Sequence, residues 1–320
     1  MTNTKRHTST STAARSDVYE RVTAKIIAAL EEGVRPWARP WTVSGAPVRP
    51  LRHNGIAYRG INTLLLWMET QARGYASPFW MTYKQAQQFG AQVRKGEKSA
   101  LVVYANAIER TVETEAGEEI EQRIPFMKGY SVFCADQIDG LPDHFYGQAQ
   151  PAEPKAPLER LAEVDAFFSN LGADIREGGN RAFYRLDEDM IGMPPFAAFV
   201  SAEAHATTLA HECVHWTRHP SRLKRDLGRK THGDEGYARE ELVAELGSAF
   251  LAADLGLAID PRDDHAAYID DWLTVLKGDK RAIFQAASHA EQAVAFLHGL
   301  QPGGQATEDD TEEPEEQRAA

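Results

Sequence analysis

Residues 211–215 read His-Glu-Cys-Val-His. Side chains four apart share one face of an α-helix, so His211 and His215 can aim both imidazoles at a single Zn²⁺. Glu212, beside the first histidine, is placed to take a proton from a water that the ion polarises. The chemistry on offer is metal-assisted hydrolysis of a carbonyl compound. Two satisfied helix histidines would give the same string. The rest of the chain must therefore supply what a catalytic zinc site still needs: a third protein ligand, and one position left open for water.

A metzincin would continue with glycine three residues past the second histidine and a third histidine three further on. Here Arg218 and Ser221 hold those positions, so that arrangement is excluded. The alternative lies downstream, in Tyr237-Ala-Arg-Glu-Glu-Leu-Val-Ala-Glu245. Isolated glutamates such as Glu240, Glu241 and Glu245 ordinarily mark a solvated helix face. Leu242, Val243, Leu246 and Phe250 make much of this helix apolar, however, which argues that it is packed. Glu241 and Glu245 are four apart on one face. One can ligate zinc while the other accepts the free N–H of a ligating histidine. This is the ligand arrangement of the gluzincins, with Glu where the last carboxylate is usually Asp. Glu241 is assigned to the metal and Glu245 to the outer position, and the reverse stays open. His205, His219 and His232 read as bystanders, and Cys213 as core packing. Tyr237 reads as a packed tyrosine whose hydroxyl could still reach an oxyanion.

These residues need helices to carry them. A helix from about Ala202 to Thr217 holds the histidines, and another from about Ala238 to Leu255 holds the carboxylates. A helical segment, Asp264 to His298, follows. Upstream, Leu158 to Leu171 repeats apolar residues at helical spacing, and Ala182–Leu186 and Ala197–Val200 read as short strands. The first half is different. A helix begins at Asp17, runs through Val22, Ile26 and Leu30, and is closed by Gly33 and Pro36. Asn62–Met68 and Thr82–Phe89 are further helices, the second with Thr82 as N-cap and Gly90 as stop. Ala100–Tyr104 and Tyr130–Cys134 read as strands on either side of an acidic stretch, Glu113–Glu121. The fold class is therefore α+β in two domains: an α+β unit at 16–146, and a mainly helical unit with a small sheet at 158–300. The Pro-rich stretch 147–157 reads as the linker between them. Residues 1–15 and 301–320 read as polar tails, the second strongly acidic and unable to bury a core.

The chain has 320 residues, 42% hydrophobic and 26% charged, enough to build two cores. Two cysteines are too few for a disulfide framework or a Cys-rich zinc site. No apolar run approaches a membrane span and the start lacks an apolar signal core, so no membrane partner and a cytoplasmic location are expected. The formal net charge of −12 argues against a uniformly basic nucleic-acid binder. That mean conceals a basic block at 49–98, where arginines and lysines far outnumber Glu69 and Glu97.

The same block holds Tyr58, Trp67, Tyr75, Phe79, Trp80 and Tyr83. Cations interleaved with aromatics suit single-stranded nucleic acid, whose phosphates need neutralising and whose bases stack. An ordinary small domain with core aromatics and a solvated cationic surface would look alike. On chemistry alone, the expected DNA contacts are Arg59, Trp80, Tyr83, Lys84, Arg94, Lys95 and Lys98.

Gly55-Ile-Ala-Tyr-Arg-Gly-Ile-Asn62, Trp80-Met-Thr-Tyr-Lys-Gln-Ala86, Val93-Arg-Lys-Gly-Glu-Lys98 and Tyr130-Ser-Val-Phe-Cys-Ala-Asp-Gln137 follow one another in order. With Asp189-Met-Ile-Gly-Met-Pro194 and the two stretches around His211 and Glu241, they make the chain resemble the ArdC-type antirestriction proteins nearly throughout. The resemblance implies an N-terminal domain that binds single-stranded DNA and a C-terminal zincin-like metallopeptidase domain. It implies a role on plasmids and other mobile elements, helping incoming DNA evade host restriction during conjugation. By the same resemblance, His211, His215 and Glu241 ligate Zn²⁺ and Glu212 is catalytic, with an unidentified protein as substrate. Two other readings stand beside it. One is a DNA-coating accessory protein with a structural zinc site, although such a site has no need of Glu212. The other is a metallopeptidase whose basic domain binds protein.

Overall fold

The computed structural model describes residues 17–37, 48–113, 119–146, 157–228, 234–257 and 266–304. The expected tail at 1–15, His232, nearly all of the expected linker and the acidic run after Glu308 lie outside them.

Helix α1 (Val18–Glu31) starts at Asp17, whose carboxylate accepts from the Tyr19 N–H, and buries Val22, Ile26 and Leu30 along one stripe. It is followed by β1 (Leu51–Arg52), α2 (Ile61–Arg73), β2 (Phe79–Met81), α3 (Tyr83–Gln88) and β3 (Gln92–Val93). Thr82 and Gln85 close the start of α3 with a reciprocal capping box. Next come β4 (Ala100–Glu113), β5 (Glu119–Cys134) and β6 (Ile138–Asp139). The sheet order is β1-β2-β5-β4, parallel at β1–β2 and antiparallel elsewhere, with β3–β6 a separate pair. Strands β4 and β5 run much further than Ala100–Tyr104 and Tyr130–Cys134. Their ladder continues from Ala100↔Val132 to Glu113↔Glu119. Such an extension satisfies backbone with backbone, so hydropathy does not announce it.

The second unit contains α4 (Pro157–Ser169), β7 (Asp174–Glu177), β8 (Phe183–Arg185), β9 (Met190–Met193), α5 (Ala202–Trp216), α6 (Glu235–Asp254), α7 (Ala266–Gly278) and α8 (Ala282–Gly299). The small sheet has order β7-β9-β8, with the wholly buried β9 in the centre. Residues Ala197–Val200 do not form the expected strand. Phe196–Ala198 is one turn of 3₁₀ helix with Pro195 as its N-cap, and Val200 is 89% exposed. Pro194 and Pro195 lack the N–H groups a ladder needs, and the strand of this region lies before them, at β9.

The architecture is two-domain α+β, but the domains are not separate bodies. One core joins Val22, Ile26 and Leu30 of α1 and Leu64, Leu65 and Trp67 of α2 to the buried faces of α5, α6, α7 and α8. Gly60, at φ +55 where a side chain is rarely tolerated, starts α2 beside the α8 backbone at Ala287. Among the described residues, no helix is long and apolar enough to cross a membrane.

Candidate metal centre

Helix α5 is fixed at its start by the Ser201 hydroxyl, which accepts from the Ala204 N–H at 3.0 Å. Helix α6 is fixed by Asp234, which accepts from the Tyr237 N–H at 2.6 Å. The two helices pack face to face, and Gly247 of α6 makes this possible. A Cβ there would stand 2.8 Å from Val214 Cγ2 of α5. This close approach brings His211, His215 and Glu241 together, each offering one ligand atom within 4.8 Å of the others.

The ring nitrogens His211 Nε2 and His215 Nε2 face each other at 3.2 Å. Glu241 spans them, with Oε2 3.5 Å from His211 Nε2 and Oε1 3.5 Å from His215 Nε2. Two imidazole nitrogens pointed at one spot cannot satisfy one another well unless a proton or cation lies between them. Two neutral histidines and one carboxylate are the donor set of a catalytic zinc site, so these residues fit a divalent metal.

Each histidine is backed on its other nitrogen by a glutamate. His215 Nδ1 lies 3.1 Å from Glu240 Oε1, and His211 Nδ1 lies 3.4 Å from Glu245 Oε1. The second contact is off the N–H direction, which leaves His211 Nδ1 without a well-formed hydrogen bond. Glu240 is gripped in turn by Arg225, which donates to its two oxygens at 2.9 and 2.8 Å. Arg225 also donates to Thr217 Oγ1 at 3.0 Å and to the Val214 carbonyl at 2.9 Å, fastening the end of α5. Burial alone would keep the histidines neutral. The surrounding carboxylates, Glu241 and Glu245 foremost, outweigh it and raise His211 to about 10. For Glu240, burial opposes charge more than any other single effect, yet Arg225 and His215 together lower it to about 2.

The centre opens on a cleft of about 810 Å³. Glu212 lies on its wall with His211, His215, Glu241 and Glu245. Tyr237 and Tyr268 complete that side, their hydroxyls 3.2 Å apart. Burial, aided by Tyr268, raises the Tyr237 phenol well above its ordinary value and keeps it a proton donor. The opposite wall is formed by the β8 strand and the turn around Phe199. Cys213 is completely buried and burial raises its thiol, so it is packing and not a ligand. His205 makes edge contacts with the rings of Phe196 and Phe199, and His219 meets the Ser221 hydroxyl; neither joins the ligand group.

Glu240 is the participant that sequence spacing did not single out. It adjoins Glu241 in the chain, but only its pairing with Arg225 turns it toward His215.

In the first domain, Tyr83, Arg94 and Lys95 border an open recess of about 580 Å³. Lys84 and Lys98 are exposed and Arg59 partly so, but none of them lines it. Trp80 requires a correction: it is 1% exposed, packed edge-on against Tyr75, and presents no face on which a base could stack. Arg94 is also engaged, donating to Glu97 at 3.0 Å and to the Asp136 carbonyl at 2.5 Å.

Two family models match the chain. One describes the N-terminal domain of anti-restriction factor ArdC and covers residues 16–133; the other describes a zincin-like metallopeptidase and covers residues 162–289. The chain is 42% identical over 299 residues to the uncharacterized protein y4eC of Sinorhizobium fredii, spanning 92% of this chain and 95% of the relative. It is 38% identical to the DNA primase TraC of Escherichia coli over 87% of this chain, but spans only 27% of that longer protein. Among crystal structures it is similar to the metal-free antirestriction protein ArdC of plasmid R388, with TM-score 0.75 and 47% identity over 89% of this chain and 97% of that one. The Mn(II)-bound form matches with TM-score 0.72 and 45% identity, over 89% of this chain and 98% of that one. The fold and site thus define a two-domain protein with a zincin-like metallopeptidase-type domain. The chain belongs to the ArdC antirestriction family.

Proposed function

We propose that this protein shields the DNA of a mobile element from host restriction during conjugative transfer. In this reading it acts in the cytoplasm, the N-terminal domain holds single-stranded DNA, and the C-terminal domain hydrolyses peptide bonds with Zn²⁺. The observation that carries the reading is the convergence of His211, His215 and Glu241 on a cleft whose wall also bears Glu212. A zinc ion in that group supplies Lewis-acid polarisation of a carbonyl and of water. Glu212 takes the proton of the attacking water and delivers it to the leaving amine. Tyr237, kept protonated by burial, is a hydrogen-bond donor on the same wall for the carbonyl oxygen as it gains charge. Glu240 and Glu245 hold the ligating rings from behind. Tyr83, Lys84 and Lys95 offer an exposed ring and two exposed cations for a passing strand.

The test compares wild type with Glu212→Gln in transfer to restricting recipients, alongside zinc content and single-strand binding. The variant should retain zinc and DNA binding, lose hydrolysis by roughly 10²–10⁴-fold, and lose protection. Full protection by the variant would sink the proteolytic mechanism and leave occupancy of the DNA as the shield.

A further inference from the structure

Arg35 lies in the turn after α1, inside the region matched by the ArdC N-terminal family model. Its Nη1 is nevertheless 4.0 Å from Glu245 Oε2 in the second domain. The other oxygen of that carboxylate is the one facing His211 Nδ1 at 3.4 Å. Two residues on, Trp37 is buried edge-on against Trp272 of α7, with ring centroids 5.5 Å apart. Trp272 stacks on Tyr268 at 6.1 Å, and Tyr268 on Tyr237 at 6.2 Å. The same short turn therefore reaches the back of the cleft by two routes, one ionic and one aromatic.

We propose that Arg35 is a positioning residue of the metal centre, supplied by the N-terminal domain and acting through Glu245 on His211. A histidine that ligates through Nε2 carries its proton on Nδ1, and a carboxylate there fixes both tautomer and ring orientation. A buried carboxylate in turn requires a cation or hydrogen-bond donors to offset its lost water. On the His215 side, Glu240 has Arg225 for this purpose. On the His211 side, Glu245 is 7% exposed and Arg35 approaches from across the domain boundary. Both supports set a guanidinium beside the carboxylate that backs a histidine, but Arg225 binds Glu240 through two hydrogen bonds whereas Arg35 makes a longer ionic contact from the other domain. The region matched by the peptidase family model, 162–289, consequently omits part of its own site. This inference rests on the metal reading of His211, His215 and Glu241.

The experiment measures the zinc affinity of the full chain by competition with a chromophoric chelator. Wild type, Arg35→Met, Arg35→Lys, Glu245→Gln and the Arg35→Met, Glu245→Gln pair are compared, with the melting temperature of each metal-free protein as a fold control. Arg35→Met should weaken zinc binding about tenfold, and Arg35→Lys, which keeps the charge and most of the stem, should recover most of it. In the Glu245→Gln background, Arg35→Met should add nothing, because its route to the metal is already cut. Additive losses, or wild-type affinity in Arg35→Met, would overturn the positioning role while leaving the metal site standing. A wild-type chain that takes up no zinc would overturn both.

Discussion

Glu240 accepts from Arg225 on one side and faces His215 on the other, and neither the Glu240 nor the Arg225 side chain is more than 2% exposed. Removing one member of such a pair strands the other charge out of water. Glu240→Ala should therefore cost about 3–5 kcal/mol in urea denaturation. Glu240→Gln should cost less, since it keeps one acceptor oxygen for the guanidinium. Equal losses in the two variants would mean that the full charge, and not the size of the side chain or one remaining acceptor oxygen, is what Glu240 supplies. At this scale the residues that converge on the candidate centre were legible because they follow helical spacing: His211 with His215, and Glu241 with Glu245. Glu240 was not, because its role depends on Arg225, which is fifteen residues earlier and outside any helix. Trp80 was misread for a related reason. Composition counts an indole but cannot say which face of the β-sheet buries it.

The candidate metal centre also depends on how closely two helices approach. Gly247 has no side chain where Val214 Cγ2 and Cγ1 would stand 2.8 and 2.9 Å from a Cβ, so α6 lies almost directly on α5. Gly247→Ala should force the helices apart or push Val214 off its rotamer, at about 1–3 kcal/mol. Because α5 holds the histidines and α6 holds Glu241, the same change should weaken zinc binding. Thermal melting and a zinc titration read the two effects separately, and a lower melting temperature with unchanged zinc affinity would show that the helices do not set the ligand geometry. Helices α5 and α6 were legible from apolar periodicity, whereas the single helical segment expected at Asp264–His298 is two helices, α7 and α8, with Asp279, Lys280 and Arg281 between them. The small sheet was legible only in part. β8 carried a strand-like run, whereas β7 is mostly exposed and the strand expected at Ala197–Val200 was stopped by Pro194 and Pro195.

Across the whole molecule, the domains are held by an ionic clamp as well as by the shared core. Arg49, from the first domain, donates to both oxygens of Asp254 at the end of α6, at 2.9 and 3.0 Å. It also donates to Glu291 of α8 at 2.9 Å, and its guanidinium lies 4.6 Å from the centre of the Phe250 ring. The Gly60 N–H reaches the same Glu291 oxygen at 3.1 Å. No sequence pattern announces a contact between residues so far apart. Burial is the largest influence on Asp254 and acts to raise it, but His298 and Arg49 together hold its carboxyl below the ordinary aspartate value of 3.8. A carboxyl lowered by folding contributes stability above its unfolded value and loses that contribution as the pH falls through the folded one. The clamp should therefore be intact at neutral pH, start to lose its contribution below the ordinary aspartate value of 3.8, and fail as the pH falls through the lowered folded value. Asp254→Asn should be less stable than wild type by about 1.5–3 kcal/mol at pH 7, the usual worth of hydrogen bonds to a charged group. The gap should begin to narrow as the pH falls below the ordinary aspartate value of 3.8 and close only once the pH has passed below the lowered folded value, because wild type then loses its charge while asparagine has none to lose. Urea denaturation of both proteins across that range measures it. A gap that stayed constant with pH would show that the Asp254 charge does not hold the two domains together.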